Sequence, residues 1–129
     1  MDSDVLVVDD SAAIRKILTR VLRQTGMAIQ TIHEAGDGQE ALAVMAQHHI
    51  DLVLSDINMP KMDGLQLLAS LKASPQWQNI PVVMITTEGG ETKVAEAVKL
   101  GAAGYVRKPF TADQIKEKLV GILESAVTL

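Results

Sequence analysis

The sequence predicts an α/β fold, a doubly wound parallel sheet of five strands with helices on both faces. Short runs rich in Val, Leu and Ile alternate five times with longer segments whose apolar residues recur at helical spacing. This pattern is typical of strands that connecting helices bury on both sides. The 129 residues contain no repeat, linker or low-complexity segment, and this length is sufficient for one core. We therefore expect a single domain over residues 1–129.

In the first half of the chain, three predicted strands alternate with two predicted helices. Each strand is a short apolar run, and each helix has apolar residues three or four positions apart. The elements are a strand at 5–8, a helix from Ser11 to Gly26, a weaker strand at 28–33, a helix that follows the turn at 36–38 and ends near His48-His49, and a strand at 52–54. Ser11 is a favourable N-cap residue, and Gly26 is a typical helix terminator.

The second half of the chain repeats this alternation. A loop at 59–64 contains the helix breakers Pro60 and Gly64. The elements after it are a helix at 65–73, a strand at 82–85 opened by Pro81, a loop that Gly89-Gly90 should make flexible, a helix at 94–100, a brief strand at 105–106 and a last helix at 115–123. Right-handed crossovers leave few topologies for such a chain, and the flavodoxin-like strand order 2-1-3-4-5 is the one we expect.

The composition argues against several classes of function. A net charge of −4 and only three aromatic residues disfavour direct nucleic-acid binding, which needs a clustered basic face. The absence of cysteine excludes disulfides and thiolate metal sites. No apolar run approaches the length of roughly 18 residues that a membrane helix needs, and the acidic N-terminus does not resemble a signal peptide. We expect a cytoplasmic protein that does not bind membranes.

Four of the predicted strands end in polar residues of different chemical kinds. These residues are Asp9-Asp10, Asp56, Thr86 and Lys108. The carboxyl ends of parallel strands form one edge of the sheet, where ligands bind, so the side chains should lie together. Three carboxylates at one point repel one another unless a divalent cation joins them. A hydroxyl and an ammonium beside that cation suit an anionic phosphoryl group, and the pattern therefore predicts a phosphoryl site with a carboxylate acceptor.

These residues belong to longer motifs with a family resemblance. From about residue 5 to residue 123 the chain closely resembles the receiver domain of bacterial two-component response regulators, particularly the CheY-like single-domain chemotaxis type. The matching segments are Val7-Val8-Asp9-Asp10-Ser11, residues 55–64 (SDINMPKMDG), Ile85-Thr86 and residues 101–110 (GAAGYVRKPF). Each fragment alone is weak evidence for the family, but together, in this order and at these strand ends, the fragments are highly specific for it.

The resemblance implies roles for the polar residues. Asp56 would be the phospho-acceptor, receiving a phosphoryl group from the phosphohistidine of a sensor histidine kinase. Asp10, Asp56 and the backbone carbonyl of Asn58 would ligate Mg²⁺, with Asp9 acting mainly through bound water, which agrees with the preference of Mg²⁺ for hard oxygen ligands and retained waters. Lys108 would neutralise charge on the phosphoryl oxygens.

The resemblance also implies a switch. Thr86 would move to bond the phosphoryl group, and the Tyr105 ring would turn into the space it leaves. This would change the face formed by helix four, strand five and helix five, which carries Val94, Tyr105 and Lys118 and would bind a downstream target, with the flagellar motor switch as one possibility. The protein would be a monomeric signalling switch, with at most self-phosphorylation and self-dephosphorylation activity, and the peptide bond before Pro109 would be cis.

Alternatives remain open at this point. The chain could be a receiver domain excised from a larger regulator, such as a DNA-binding protein or a hybrid kinase, or, with less support, a Mg²⁺-dependent aspartyl-phosphate phosphatase. An FMN-binding flavodoxin is disfavoured because an acidic site would repel the cofactor phosphate. Thr87 is a neighbouring candidate for the role of Thr86, which family spacing favours. His48-His49 suits a helix C-terminus better than a metal site.

Overall fold

The structure is a computed structural model that describes residues 3–86 and 91–127, and side chains within 3–86 and 92–122. Strands and helices alternate throughout, as predicted. The elements are β1 Ser3–Val8, α1 Ala12–Gln24, β2 Ile29–Ala35, α2 Gly38–Gln47, β3 Leu52–Asp56, α3 Gly64–Lys72, β4 Val82–Thr86, α4 Glu91–Lys99, β5 Gly104–Arg107 and α5 Ala112–Val127. Thr87 and the Gly89-Gly90 loop lie outside the described residues.

The five strands form one parallel sheet in the order β2-β1-β3-β4-β5. The predicted strand order is therefore confirmed. Asp56 lies opposite Ile85 on β4, and Thr86 lies opposite Arg107 on β5. The parallel direction of the strands brings their carboxyl ends to one edge of the sheet, where the polar residues of the sequence motifs are found.

The core has two halves, one on each face of the sheet. Successive residues of β1 alternate between them: Val5 and Val7 pack with side chains of α1 and α5, whereas Leu6 and Val8 pack with those of α2 and α3. Every residue of β3 and β4 is buried. Burial on both faces explains why the strands are continuous aliphatic runs without polar alternation.

The weaker pattern of β2 has a structural reason. It is an edge strand, with several of its side chains exposed, and it extends to Ala35, two residues beyond the expected end. His33 on this strand packs on the ring of His48 at a centroid distance of 4.4 Å and lies 3.3 Å from Asp4. The histidines thus take part in packing and polar contacts, and His48 is the C-cap of α2.

Helix caps fix the loops at the carboxyl edge of the sheet. The Ser11 side chain accepts a hydrogen bond from Ile14 N, which confirms its expected N-cap role, and Asp63 forms a capping box with Gln66. Such caps satisfy backbone N–H groups that the helix leaves unpaired. Of the helices that the structure describes, none combines the length and apolarity required to cross a bilayer.

Candidate functional site

Three aspartates form an acidic cluster at the carboxyl edge of the sheet. Carboxylate oxygens of Asp9, Asp10 and Asp56 all lie within 4.8 Å of one another. Asp9 follows β1 and is 1% exposed, Asp56 ends β3 and is 8% exposed, and Asp10 is exposed. The structure therefore brings together the three carboxylates that the sequence placed at strand ends.

Lys108 supplies positive charge to this cluster. Its Nζ lies 3.2 Å from Asp9 Oδ2 and 3.6 Å from Asp56 Oδ1. The Lys108 backbone N–H donates a 2.6 Å hydrogen bond to the carbonyl oxygen of Thr86, which ties the end of β5 to the end of β4. The following peptide bond, to Pro109, is cis as expected. The ammonium thus lies beside two of the three carboxylates of the cluster.

The surroundings of Asp56 change the pKa of its carboxyl group. Burial raises the pKa of this carboxyl, the Lys108 ammonium opposes the rise, and the charges of Asp9 and Asp10 add to it, while a hydrogen bond from Ile57 N lowers it. The balance leaves the pKa above its ordinary value. A buried carboxylate in this state is stabilised by any further positive charge that enters the site.

The donor set of the cluster suits a hard divalent cation. Three carboxylates provide oxygen ligands at one point, and Asp10 is open to solvent, as retained waters on Mg²⁺ would require. Asn58 lies in the loop directly after β3, with an exposed side chain. Coordination by its backbone carbonyl stays a prediction. Within the described residues, the histidines form no such ligand group with the acids.

Backbone contacts hold Asp9 in place. Its Oδ1 accepts a hydrogen bond of 2.9 Å from Ser11 N, and Arg15 Nη1 donates to its carbonyl oxygen at 2.6 Å. Arg15 is itself paired with Glu34 at 3.1 Å. Arg15 could not be predicted from the sequence, because its partner is a main-chain oxygen that no side-chain motif reveals.

The loop after Asp56 is held by Gly64. Its N–H donates to the carbonyl oxygen of Ile57 at 2.8 Å. A Cβ at this position would collide with the Asp56 carbonyl oxygen and lie 2.9 Å from Ile57 Cα. Glycine is therefore required here for close approach of two backbones, a role beyond the helix breaking that the sequence predicted.

A second contact at this loop comes from α4. Lys93 Nζ donates a 2.6 Å hydrogen bond to Asn58 Oδ1. This contact of Lys93 could not be predicted from the sequence either, because a lysine among the exposed positions of a helix carries no local signal of its partner.

The predicted switch residues occupy two different environments. Thr86 is 4% exposed at the end of β4, whereas Tyr105 on β5 is 40% exposed. The ammonium of Lys118 on α5 lies 5.7 Å from the centroid of the Tyr105 ring, within the range of a cation–π interaction. Tyr105 is thus outside the core, on the face that the family resemblance predicts to bind a downstream target.

A groove lies beside Tyr105, between β5 and α5. Its volume is about 780 Å³, and its lining includes Tyr105, Arg107, Gln114, Glu117 and Lys118. It combines basic groups with the apolar parts of these side chains. The predicted target-binding face therefore contains a concave surface of suitable size for side chains of a partner.

Comparison with known proteins agrees with this geometry. The family model for the response regulator receiver domain matches residues 5–120. The chain is 40% identical to chemotaxis protein CheY-3 of Vibrio cholerae over 120 residues, covering 93% of this chain and 91% of that protein. It is 38% identical to chemotaxis protein CheY of Pseudomonas aeruginosa, covering 93% of this chain and 95% of that protein.

Solved structures show the same fold. Chemotaxis protein CheY4 of Vibrio cholerae aligns with a TM-score of 0.79 at 34% identity, covering 97% of this chain and 98% of that chain. The receiver domain of an HD domain-containing protein from Pseudomonas fluorescens aligns with a TM-score of 0.89 at 27% identity over 100% of both chains. The chain therefore belongs to the response regulator receiver domain family and is a CheY-like signalling switch of two-component systems.

Proposed function

We propose that Asp56 accepts a phosphoryl group from the phosphohistidine of a sensor histidine kinase, and that this event switches the face formed by α4, β5 and α5 for target binding. The observation that carries the proposal is the buried Asp56 carboxylate, with Asp9, Asp10 and Lys108 beside it at the carboxyl edge of the sheet. A purely structural role would not account for three clustered acids, because buried charge without full compensation is costly.

The residues divide the chemistry of transfer between them. An oxygen of Asp56 attacks phosphorus, and the bond from phosphorus to the kinase histidine breaks. The Lys108 ammonium, already 3.6 Å from Asp56 Oδ1, neutralises charge on the phosphoryl oxygens. Phosphoryl transfer depends chiefly on such positioning and charge neutralisation. This division agrees with a signalling switch that has at most self-phosphorylation and self-dephosphorylation activity.

The acidic cluster is the proposed Mg²⁺ site. Asp10, Asp56 and the backbone carbonyl of Asn58 would hold the ion, with Asp9 acting through bound water. When bound, Mg²⁺ supplies the positive charge that allows an anionic phosphoryl group to lie among three acids. Support comes from the donor set, in which all three side chains provide hard oxygen ligands within 4.8 Å of one another.

The output step involves Thr86 and Tyr105. Phosphorylation draws the Thr86 hydroxyl towards the phosphoryl group, and the Tyr105 ring turns inward from its exposed position. Such a change alters the groove between β5 and α5 and leaves the fold intact. Because named relatives are chemotaxis proteins, we propose a chemotaxis-type kinase as donor and a chemotaxis target, such as the flagellar motor switch, as the binding partner.

The proposed form of the protein is a single receiver domain over residues 1–129, monomeric, cytoplasmic and without direct nucleic-acid binding. A second candidate is a receiver domain that belongs to a larger regulator. The observation that favours it is the match to receiver domains of an HD domain-containing protein and of a histidine kinase from Syntrophus aciditrophicus. An aspartyl-phosphate phosphatase is the least supported alternative, and turnover of small phosphoesters would reveal it.

The proposed acceptor can be tested by direct labelling. Acetyl phosphate with Mg²⁺ should add one phosphoryl group to the protein, through an acid-stable but base-labile bond, and mass spectrometry should locate it on Asp56. Asp56→Asn retains the shape of the side chain but removes the nucleophilic carboxylate, so labelling should vanish. Phosphate on Thr86, Thr87 or a histidine would contradict the proposed mechanism.

A further inference from the structure

A contact outside the acidic cluster joins the loop after β3 to α4. Lys93 Nζ donates to Asn58 Oδ1 at 2.6 Å, across 35 positions of sequence. Asn58 lies two residues beyond Asp56, in the loop after β3, whereas Lys93 is in the first turn of α4, the helix that follows β4. Because β3 and β4 are neighbours, with Asp56 opposite Ile85, this contact spans the edge of the sheet at which Asp56 and Thr86 lie.

The helix itself does not explain the position of Lys93. α4 begins at Glu91, so the ammonium lies near the positive end of the helix dipole, where a cation is disfavoured. Its hydrogen-bond partner is a neutral amide, and both residues are exposed, so the contact contributes little to stability. A cation held against the local helix preference, beside a site that is short of positive charge, indicates a functional role.

The contact determines how the Asn58 amide is oriented. Lysine can only donate hydrogen bonds, so the atom that it holds must be the amide oxygen. The hydrogen bond from Lys93 occupies one of the two lone pairs of Oδ1 and turns this oxygen towards the ammonium on α4, so the amide presents its Nδ2 hydrogens on its other side. An N–H group can donate to a phosphoryl oxygen, but it cannot accept a hydrogen bond from water. Asn58 held in this way is therefore unsuited to orient a water molecule for attack.

We propose that Lys93 is a positioning residue that prolongs the life of the phosphoryl group on Asp56 by holding the Asn58 amide oxygen away from the attacking water; this inference rests on the function proposed above. In hydrolysis, the water oxygen bonds to phosphorus while the bond from phosphorus to the Asp56 oxygen breaks. The electron pair of that bond returns to the carboxylate, and both water hydrogens leave with dihydrogen phosphate.

Removal of the ammonium should therefore speed hydrolysis. In Lys93→Met the aliphatic stem remains, but the amide can rotate and its oxygen can accept a hydrogen bond from the water, which orients the water towards phosphorus. After labelling with acetyl phosphate and Mg²⁺ and removal of the donor, release of inorganic phosphate should be about twofold to tenfold faster than in the intact protein, the range that one hydrogen bond supplies. Lys93→Arg keeps a cationic hydrogen-bond donor at this position, so it should retain the slow rate of the intact protein. Unchanged or slower release in Lys93→Met would overturn the proposal.

Asn58→Ala distinguishes positioning from direct contact with the phosphoryl group. In that background no amide remains to be positioned, so Lys93→Met should have no further effect on phosphate release, and an equal acceleration there would overturn the positioning role.

A charge control lies at the other end of α4. Lys99→Met removes the same charge as Lys93→Met, and this variant should release phosphate at the rate of the intact protein. Acceleration in this control would also overturn the proposal. A protein that takes no label on Asp56 contradicts the proposed function and this inference with it, whereas labelling with equal lifetimes contradicts the role of Lys93 alone.

Discussion

Replacing Asp56 by Asn should stabilise the metal-free protein at neutral pH, although it removes the proposed acceptor. One carboxylate oxygen of each of Asp9 and Asp10 lies within 4.8 Å of one of Asp56, and at an effective dielectric constant of about 20 a pair of charges at that distance repels by about 3.5 kcal/mol. Lys108, 3.6 Å from Asp56 Oδ1, attracts it by about 4.6 kcal/mol on the same scale. The repulsion therefore exceeds the attraction.

The size of the effect follows from this balance. Solvent around the exposed Asp10 weakens its repulsion of Asp56, which leaves a net repulsion of about 1 to 2 kcal/mol on Asp56. Burial of the Asp56 charge destabilises the fold further. Asn can still accept the hydrogen bond that Ile57 N donates at 2.8 Å. We therefore expect Asp56→Asn to raise the free energy of unfolding by about 1 to 3 kcal/mol.

Urea unfolding in the presence of a chelator, followed by circular dichroism, measures this difference. Because burial, opposed by Lys108 and reinforced by Asp9 and Asp10, raises the pKa of Asp56, its charge destabilises the fold fully above the raised pKa. As the pH falls through that value the folded protein takes up a proton, and below the ordinary pKa of an unfolded aspartate the two proteins should be nearly equal in stability. Added Mg²⁺ should stabilise the protein with Asp56 more than the variant.

A control separates the local effect from that of net charge. Asp113→Asn removes one negative charge in the first turn of α5, where a carboxylate is favourable, and should lower stability by a few tenths of a kcal/mol, roughly the lower end of the helix-dipole range. If Asp56→Asn were no more stable than the unmodified protein at pH 7, the view of the cluster as a site of uncompensated negative charge would be wrong.

Other substitutions test the metal site, the acceptor loop and the switch. Asp10→Ala should abolish Mg²⁺ binding, or weaken it by more than about tenfold, without unfolding the chain; calorimetric titration with unaltered affinity would refute the assignment. Gly64→Ala should lower the free energy of unfolding by about 1 to 3 kcal/mol because its Cβ meets the backbone of the acceptor strand. Gly121→Ala, where a Cβ has no neighbour within 4 Å, should instead raise it by about 0.5 to 1 kcal/mol, and equal effects at the two positions would contradict the packing argument. Thr86→Ala should leave phosphorylation largely intact but reduce the amide chemical-shift changes that beryllofluoride causes at Tyr105 and in α4; undiminished changes would exclude Thr86 as the link.

The fold and the acidic cluster could be predicted because their signals are local in sequence. Buried parallel strands require continuous aliphatic runs, and each polar residue that follows such a run lies at the same edge of the sheet. The sequence alone is therefore sufficient to place Asp9, Asp10, Asp56 and Lys108 together. The boundary of β2 was less accurate, because an edge strand with exposed positions has no such continuous run.

The residues that sequence reasoning missed depend on contacts between distant segments. Arg15 binds the carbonyl oxygen of Asp9, and Lys93 binds the side chain of Asn58. Each is an ordinary exposed or half-exposed basic residue on a helix, and such residues are usually solvated. Its partner depends on how helices pack against the sheet edge, which hydrophobic periodicity predicts only coarsely.

Phosphorylation of Asp56 would make the cluster more negative, because an acyl phosphate carries more charge than the carboxylate it replaces. The Lys108 ammonium, 3.6 Å from Asp56 Oδ1, would therefore be drawn inward. The Lys108 backbone N–H donates a 2.6 Å hydrogen bond to the Thr86 carbonyl oxygen, so movement at the end of β5 is coupled to movement at the end of β4. Tyr105 lies on β5, three residues before Lys108, and is half exposed, so it would respond to this shift at little cost in packing. A change of about 5.5 kcal/mol moves a two-state equilibrium from 1:99 to 99:1, and interactions of several kcal/mol each at this cluster are sufficient to supply it.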